Sequence, residues 1–237
     1  NWKGESGVSP AAHPNARYTC PIVNCPILAS NYDALVPIHA IIFGGRRRSC
    51  IPLASKARDI YQGIFYGATL SSEETSANSE AKLGNIRFDP MSMRPFIGYN
   101  CCEYFQHWID FMKKLNVPPQ FYLVNWFRKD EDDKFIWNGF SENSKILKWI
   151  FLQQQDDKQI VSSSSSSSAF GEHPSLADLY LDETNDGDKR KWKQLFSCKP
   201  EEITDFKMRV TNFFNELEKN SPVGVPHELK EQLDKLC

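Results

Sequence analysis

Phe121-Tyr122-Leu123-Val124, running without a break into Asn125-Trp126-Phe127-Arg128-Lys129-Asp130, is the stretch that decides the fold. Four apolar residues introduced by Val117-Pro118-Pro119 read as a buried strand. The aromatics continue into a charged turn, Lys129-Asp130-Glu131-Asp132-Asp133-Lys134, and then to Phe135, Gly139, Phe140, Ser141, Glu142 and Asn143. Phe and Trp in such numbers are ordinary core material, and composition alone favours that reading. The polar turn shifts it, because aromatics flanking a polar loop at a strand's end sit where ligands bind. Flat rings to stack on a base, an amide to read its edge and cations to favour its phosphates are what a purine pocket needs.

Working outward, Val36 to Phe43 reads as a second buried strand that delivers Gly44-Gly45 and then Arg46, Arg47 and Arg48. Ile60 to Leu70 suits a helix passing into a strand. Tyr104 to Leu115 spaces Phe105, Trp108, Ile109, Met112 and Leu115 at helical intervals, and Asn143 to Leu152 is a helix with Ile146, Leu147, Ile150 and Phe151 on one side. Pro200 to Asn220 is amphipathic through Ile203, Phe206, Val210, Phe213, Phe214 and Leu217. Pro226 opens a short helix with Leu229, Leu233 and Leu236 inward. The fold expected is α/β, a mixed sheet with helices packed around it. Residues 1–160 form the α/β portion, 161–185 a Ser-rich flexible loop carrying Ser162 to Ser168, and 186–237 a helical segment packing on the same domain.

A chain of 237 residues, 41% hydrophobic, can bury a sizeable core, and a net charge of −2 gives no general attraction to nucleic acid. No apolar run reaches the ~20 residues of a membrane span, so neither nucleic acid nor membrane is an expected partner. Asn1 is not an initiator Met, which suggests a fragment or processed piece. The seven cysteines are scattered and read as reduced thiols, and the five histidines have no metal-ligand spacing.

Three arginines after a strand-ending glycine pair point to an anion site, since guanidinium groups offer planar bidentate donors to phosphate. In His13-Pro14-Asn15-Ala16-Arg17 the proline favours an extended neighbour, so Asn15 and Arg17 can point to the same side. An amide beside an arginine suits a small carboxylate; the plainer reading is a polar turn. Ser71 to Gly84 is small and polar, a solvated loop or a mobile lid.

These blocks, together with Asp89-Pro90-Met91-Ser92-Met93-Arg94-Pro95-Phe96 and Gly98-Tyr99-Asn100, resemble in order and spacing the C-terminal part of GTP-dependent phosphoenolpyruvate carboxykinases, from about His13 to Ile150. The resemblance implies the nucleotide-binding, lid-bearing part of that fold. In such an enzyme oxaloacetate loses carbon dioxide and the enolate attacks the γ-phosphate of GTP, giving phosphoenolpyruvate and GDP, a gluconeogenic reaction. Asn15 and Arg17 would hold the substrate carboxylate, and Arg17 and Arg46 would be catalytic and face the transferring phosphoryl group. Phe127, Phe135 and Phe140 would pack around guanine, Asn143 and the backbone of Ser141 and Glu142 leading to it would read its edge, and Trp126 would be a further nucleotide-binding residue.

The lid would be Glu74, Thr75, Ser76, Ala77, Asn78 and on to Gly84. The departures are Arg48 for a proline, Ser71 for an arginine, Ser141 for a glycine, and the serine run for a more apolar segment. The chain has no Gly-x-x-x-x-Gly-Lys-Thr-like loop and no residues for the family's manganese or magnesium, which family order puts upstream of Asn1. Alone it would be inactive or nearly so. The resemblance implies a monomeric parent in the cytoplasm, with the mitochondrial matrix the other compartment considered. A non-catalytic paralogue binding guanine nucleotide or phosphoenolpyruvate is the alternative.

Overall fold

The structure, a computed structural model, describes residues 19–28, 36–74, 85–155 and 166–236. Contacts divide the chain into two units, residues 1–37 with 73–86, and residues 38–72 with 87–237. In the first, the described residues include a short 3-10 turn, Ile22–Asn24, and a backbone bond from Glu74 N–H to the Asn85 carbonyl, 2.8 Å.

The second unit is built on a five-stranded mixed sheet. In chain order the strands among all the described residues are β1 (Ala40–Gly44), β2 (Ala54–Lys56), β3 (Ser71–Glu73), β4 (Ile86–Phe88), β5 (Gln120–Val124), β6 (Ser166–Ser168) and β7 (Gly171–His173). The large sheet runs β1-β5-β2-β7-β6, while β3 and β4 make a separate two-stranded sheet. β1 is parallel to β5, Ala40 opposite Gln120 through Gly44 opposite Val124, and β2 is antiparallel to it. Around the sheet lie α1 (Ile60–Ala68), α2 (Cys101–Lys113), α3 (Asn143–Leu152), α4 (Asp186–Phe196), α5 (Pro200–Glu218) and α6 (His227–Asp234).

β5 explains the architecture. Successive side chains alternate between faces, and both faces are covered: Phe121 and Leu123 join one core cluster with side chains of α1, α2, α5 and α6, while Tyr122 and Val124 join another with Trp137 and residues of α3 and α4. Hence the run is apolar at every position rather than at alternate ones. α1 lies so close to the sheet that a Cβ on Gly63 would meet the Phe121 ring at 2.2 Å, and one on Gly67 would meet Phe43 at 2.7 Å. Three helices start on side-chain caps: Asp59 accepts from Gln62 N–H (2.7 Å), Asn100 from Cys102 N–H (2.8 Å), and Asn185 from Gly187 N–H (2.8 Å).

Some expectations change. The first strand begins at Ala40, not Val36; Val36 and Ile38 are exposed. Ser71–Glu73 is strand rather than loop. α3 has the expected limits, but it buries Trp149 with Ile146 and Ile150 and leaves Leu147 and Phe151 exposed. Of the stretch expected to be a Ser-rich flexible loop, Ser166–Ser168 and Gly171–His173 form a hairpin at the edge of the sheet, and a 3-10 turn follows at Ala177–Leu179. Small side chains add little burial themselves, but the turn between these strands supplies Phe170, which packs edge-on against Phe206. Tyr66 donates to the Phe170 carbonyl, Gln62 Nε2 to the Ala169 carbonyl (3.1 Å), and His173 Nε2 lies 2.7 Å from Ser168 Oγ. Ordering comes from partners distant in sequence, which a serine run does not announce.

Candidate nucleotide site

Because β1 and β5 are parallel, their C-terminal ends open at the same edge, the place where open α/β sheets bind ligands. Gly45 to Arg48 leave β1 there, and Asn125 to Arg128 leave β5. Asn125 joins the two segments. Fully buried, it accepts from the N–H groups of Arg47 (3.1 Å) and Phe127 (3.2 Å) through Oδ1, and donates through Nδ2 to the carbonyls of Arg47 (2.8 Å) and Ile51 (2.9 Å).

Arg47 is buried too, donating to Ser71 Oγ at 2.9 Å with its guanidinium over the Phe206 ring. Arg128 turns inward to the carbonyls of Cys50 (3.2 Å), Ile51 (3.1 Å) and Ser197 (2.8 Å), and its Nε is buried with no hydrogen-bond partner among the described residues. Arg46 differs. Its backbone N–H is held by Ser72 Oγ at 3.1 Å, and its guanidinium carbon lies 4.9 Å from the centre of the Phe127 ring.

Phe127 meets Phe135 edge to face, centroids 6.0 Å apart, with Lys129 Nζ 5.3 Å from the Phe135 ring centre. A bridge pairs Lys129 with Phe135 across the charged turn, so Phe127 and Phe135 come to one side. Lys129 donates to Asp133 at 2.7 Å, and with Arg48 it holds that carboxyl below the usual carboxylate range. Phe135 is 56% exposed and Phe140 95% exposed. Ser141 sits at φ +65°, in the left-handed region. Asn143 begins α3, its N–H bonded to the Gly139 carbonyl (3.0 Å) and its Oδ1 accepting from Trp137 Nε1 (2.8 Å); Glu142 pairs with Lys145. Trp126 is partly buried against the second core cluster.

Thus Arg46, Phe127 and Phe135 are gathered, and Phe140 to Asn143 form the following turn. Asn15, Arg17 and the lid positions Thr75, Ser76, Ala77, Asn78 and Gly84 lie outside the described residues. Among the described residues no group of three or more His, Cys, Asp or Glu is placed to hold a metal ion. No described helix is long and apolar enough to cross a membrane.

Sequence reasoning did not reach Arg128, Ser71 and Ser72 as anchors of the loop, nor a cleft of about 720 Å³ walled by Arg48, Lys129, Asp130, Arg190 and Lys193. Arg190 and Lys193, three apart on α4, were the available signal for that cleft.

A mixed α/β domain with an arginine and exposed aromatics at the C-terminal ends of parallel strands is a ligand-binding domain by architecture. The chain belongs to the phosphoenolpyruvate carboxykinase C-terminal P-loop domain family, whose model matches residues 1–236. It is 51% identical over 152 residues to phosphoenolpyruvate carboxykinase [GTP] of Corynebacterium jeikeium (strain K411), a stretch that is 63% of this chain and 25% of that protein. It is 49% identical over 155 residues to the enzyme of the same name from Thermoplasma volcanium, 63% of this chain and 26% of that one. The Chlamydia muridarum protein, also so named, is 49% identical over 156 residues, with 64% and 26% covered. The chain thus spans about a quarter of the length of these relatives.

Proposed function

We propose that this chain is the guanine- and phosphoryl-facing part of a GTP-dependent phosphoenolpyruvate carboxykinase, a carboxy-lyase that converts oxaloacetate and GTP to phosphoenolpyruvate, GDP and carbon dioxide. The observation that carries this reading is Arg46 against Phe127, 4.9 Å from the ring centre, at the ends of β1 and β5. The two residues bring a bidentate phosphate donor and a stacking face to one place. The family match and the names of the relatives support the substrate class.

Phe127, Phe135, Phe140 and the partly buried Trp126 enclose the base. The Ser141-Glu142-Asn143 turn reads its edge, with the Asn143 amide oriented by Trp137. Arg46, and with it Arg17, stabilise the charge that builds on the enolate and on the phosphoryl group in flight, where fixed donors do most of the work. Asn15 and Arg17 hold the substrate carboxylate. The lid from Glu74 to Gly84 closes over the enolate and excludes water. A divalent ion, manganese or magnesium, would supply neutralisation of phosphate charge; among the described residues no group of three or more His, Cys, Asp or Glu is placed to hold it. The parent is a cytoplasmic monomer. The relatives come from Corynebacterium, Thermoplasma and Chlamydia, cells with no mitochondrial matrix.

Calorimetric titration of the folded chain with GTP, ATP and phosphoenolpyruvate tests the pocket directly. GTP binding with ATP left unbound is the expected result; equal binding of the two would remove guanine from the reading.

A further inference from the structure

Cys50 and Cys198 are 148 positions apart in sequence and meet in the fold. Cys50 ends the loop that leaves β1, and Cys198 lies in the junction between α4 and α5. The Cys198 thiol donates to the Cys50 carbonyl, which sets the two cysteines side by side. A disulfide needs sulfurs about 2 Å apart on Cβ atoms near 4 Å. The contact of the Cys198 thiol with the backbone of Cys50 puts the two side chains in each other's neighbourhood.

The surroundings favour reaction at one sulfur. Cys50 is buried, and its thiol, which faces Cys198, is pushed up by that contact and by burial. Cys198 is partly exposed. Hydrogen bonding with Cys50 and the nearby Arg128 guanidinium hold its thiol below the usual range, against the opposing effects of burial and Glu202. Thiolate is the nucleophilic form, so Cys198 is the attacking sulfur. A route in exists as well: Ser49 and Ser197, the chain neighbours of the two cysteines, both line the 720 Å³ cleft. Cys101 and Cys102, by contrast, are adjacent in α2 and have no such arrangement.

We propose that Cys50 and Cys198 form a reversible disulfide when the protein meets a hydroperoxide. The Cys198 thiolate attacks one peroxide oxygen; the O–O bond breaks, hydroxide leaves, and Cys198 becomes a sulfenic acid. The Cys50 thiol then attacks the sulfenic sulfur; the S–S bond forms as the S–O bond breaks, and its proton leaves with the hydroxyl as water. Two thiols are oxidised by two electrons, and one hydrogen peroxide is reduced to two waters. Low-molecular-weight thiols reverse the bond by exchange, ending as their own disulfide.

The test is hydrogen peroxide treatment of the native full chain, followed by alkylation, digestion without reductant and mass spectrometry. The expected product is a Cys50 peptide joined to a Cys198 peptide, lost on adding dithiothreitol. In Cys50→Ser, dimedone should label Cys198; in Cys198→Ser, Cys50 should stay unlabelled. A native digest with both thiols still free, or with Cys198 joined to another cysteine, overturns the pair. Faster dimedone labelling of Cys50 than of Cys198 overturns the direction of attack.

Discussion

Asn125 and Phe140 belong to one continuous stretch of sequence and stand in opposite surroundings. Asn125 has no exposed surface, and all four of its hydrogen bonds go to backbone on its own or the neighbouring segment; Phe140 is 95% exposed. The first is a buried polar group whose partners are complete, so it fixes the backbone around it. The second is a large apolar ring that folding does not cover. The stretch therefore divides into a scaffold, which holds the β1 and β5 exits together, and a rim of rings that folding leaves open and that a nucleotide would cover on the proposed function. The contrast is open to experiment, since scaffold substitutions should cost stability and rim substitutions should cost binding.

Asn125→Ala should produce the largest change in the free chain, a destabilisation of about 3 to 4 kcal/mol. It removes the acceptor of the Arg47 and Phe127 N–H groups and the amide donor to the Arg47 carbonyl, while the Ile51 carbonyl keeps its bond from Arg128, and each buried hydrogen bond lost in this way costs roughly 1 kcal/mol or more. Urea unfolding with an unchanged slope would measure it. A loss below about 1 kcal/mol would mean that the two strand exits are held by something other than this amide.

His173 probes the interior in a different way. Burial pushes its imidazole down to about 4, partly offset by its bond with the Ala54 carbonyl at 2.9 Å, while Arg58 and Arg128 lower it further. The unfolded imidazole titrates near its ordinary 6.5, so between these values the unfolded chain holds the proton that the folded chain refuses. Its contribution is full above pH 6.5 and is lost as pH falls towards 4, amounting to about 3 kcal/mol across the window. His173→Gln should flatten that part of the stability profile. An unchanged slope would show that other groups carry the acid sensitivity.

Arg46→Lys tests the boundary between scaffold and rim. The charge is kept and the planar fork is lost, so turnover of the full-length parent should fall ~10²-fold, about 3 kcal/mol at the barrier, with a much smaller change in GTP affinity. Equal turnover would take Arg46 out of the reaction and leave it as a cation stacked on Phe127.

Which parts of this were legible beforehand follows from where the ordering interactions lie. β5 and the limits of α3 could be read because they are local properties of the sequence, whereas the buried face of α3, which takes Trp149 and leaves Leu147 and Phe151 exposed, could not. The grouping of Arg46 with Phe127 could be anticipated from two strand ends followed by cations and rings. The hairpin Ser166–His173 could not, since its order comes from Tyr66, Gln62 and the packing of Phe170 on Phe206. Nor could Arg128 be told from Arg46 by residue type, and only the family resemblance set Arg47 apart as structural. Three arginines near the same strand ends end in three environments, decided by Ser71, by the Cys50, Ile51 and Ser197 carbonyls, and by the Phe127 ring.

Phe140→Ala sharpens the contrast from the rim side. The free chain should unfold at the same urea concentration, because almost none of this ring is buried. GTP affinity should weaken by about 0.5 to 1.5 kcal/mol, a loss of up to roughly tenfold. Lost stability with unchanged affinity would invert the assignment and make Phe140 part of the scaffold.

The smallest effect expected is a gain. Ser141 follows Phe140 at φ +65°, in the left-handed region that favours glycine. A non-glycine residue in the left-handed region costs about 1 kcal/mol through its Cβ. The Ser144 hydroxyl bonds the Ser141 carbonyl at 2.7 Å, a contact that does not involve the Ser141 side chain. Ser141→Gly therefore keeps this bond, removes the strain and loosens the unfolded chain, for a net stabilisation of about 0.5 kcal/mol. The same change gives the backbone beside Phe140 more freedom. If the rim is set by its own turn, GTP affinity should fall slightly even as the urea midpoint rises; if it is set by the scaffold beneath, affinity should not move. Opposite signs in the two measurements would place the division between scaffold and rim between Asn143, whose Oδ1 is bonded to Trp137, and the turn that precedes it.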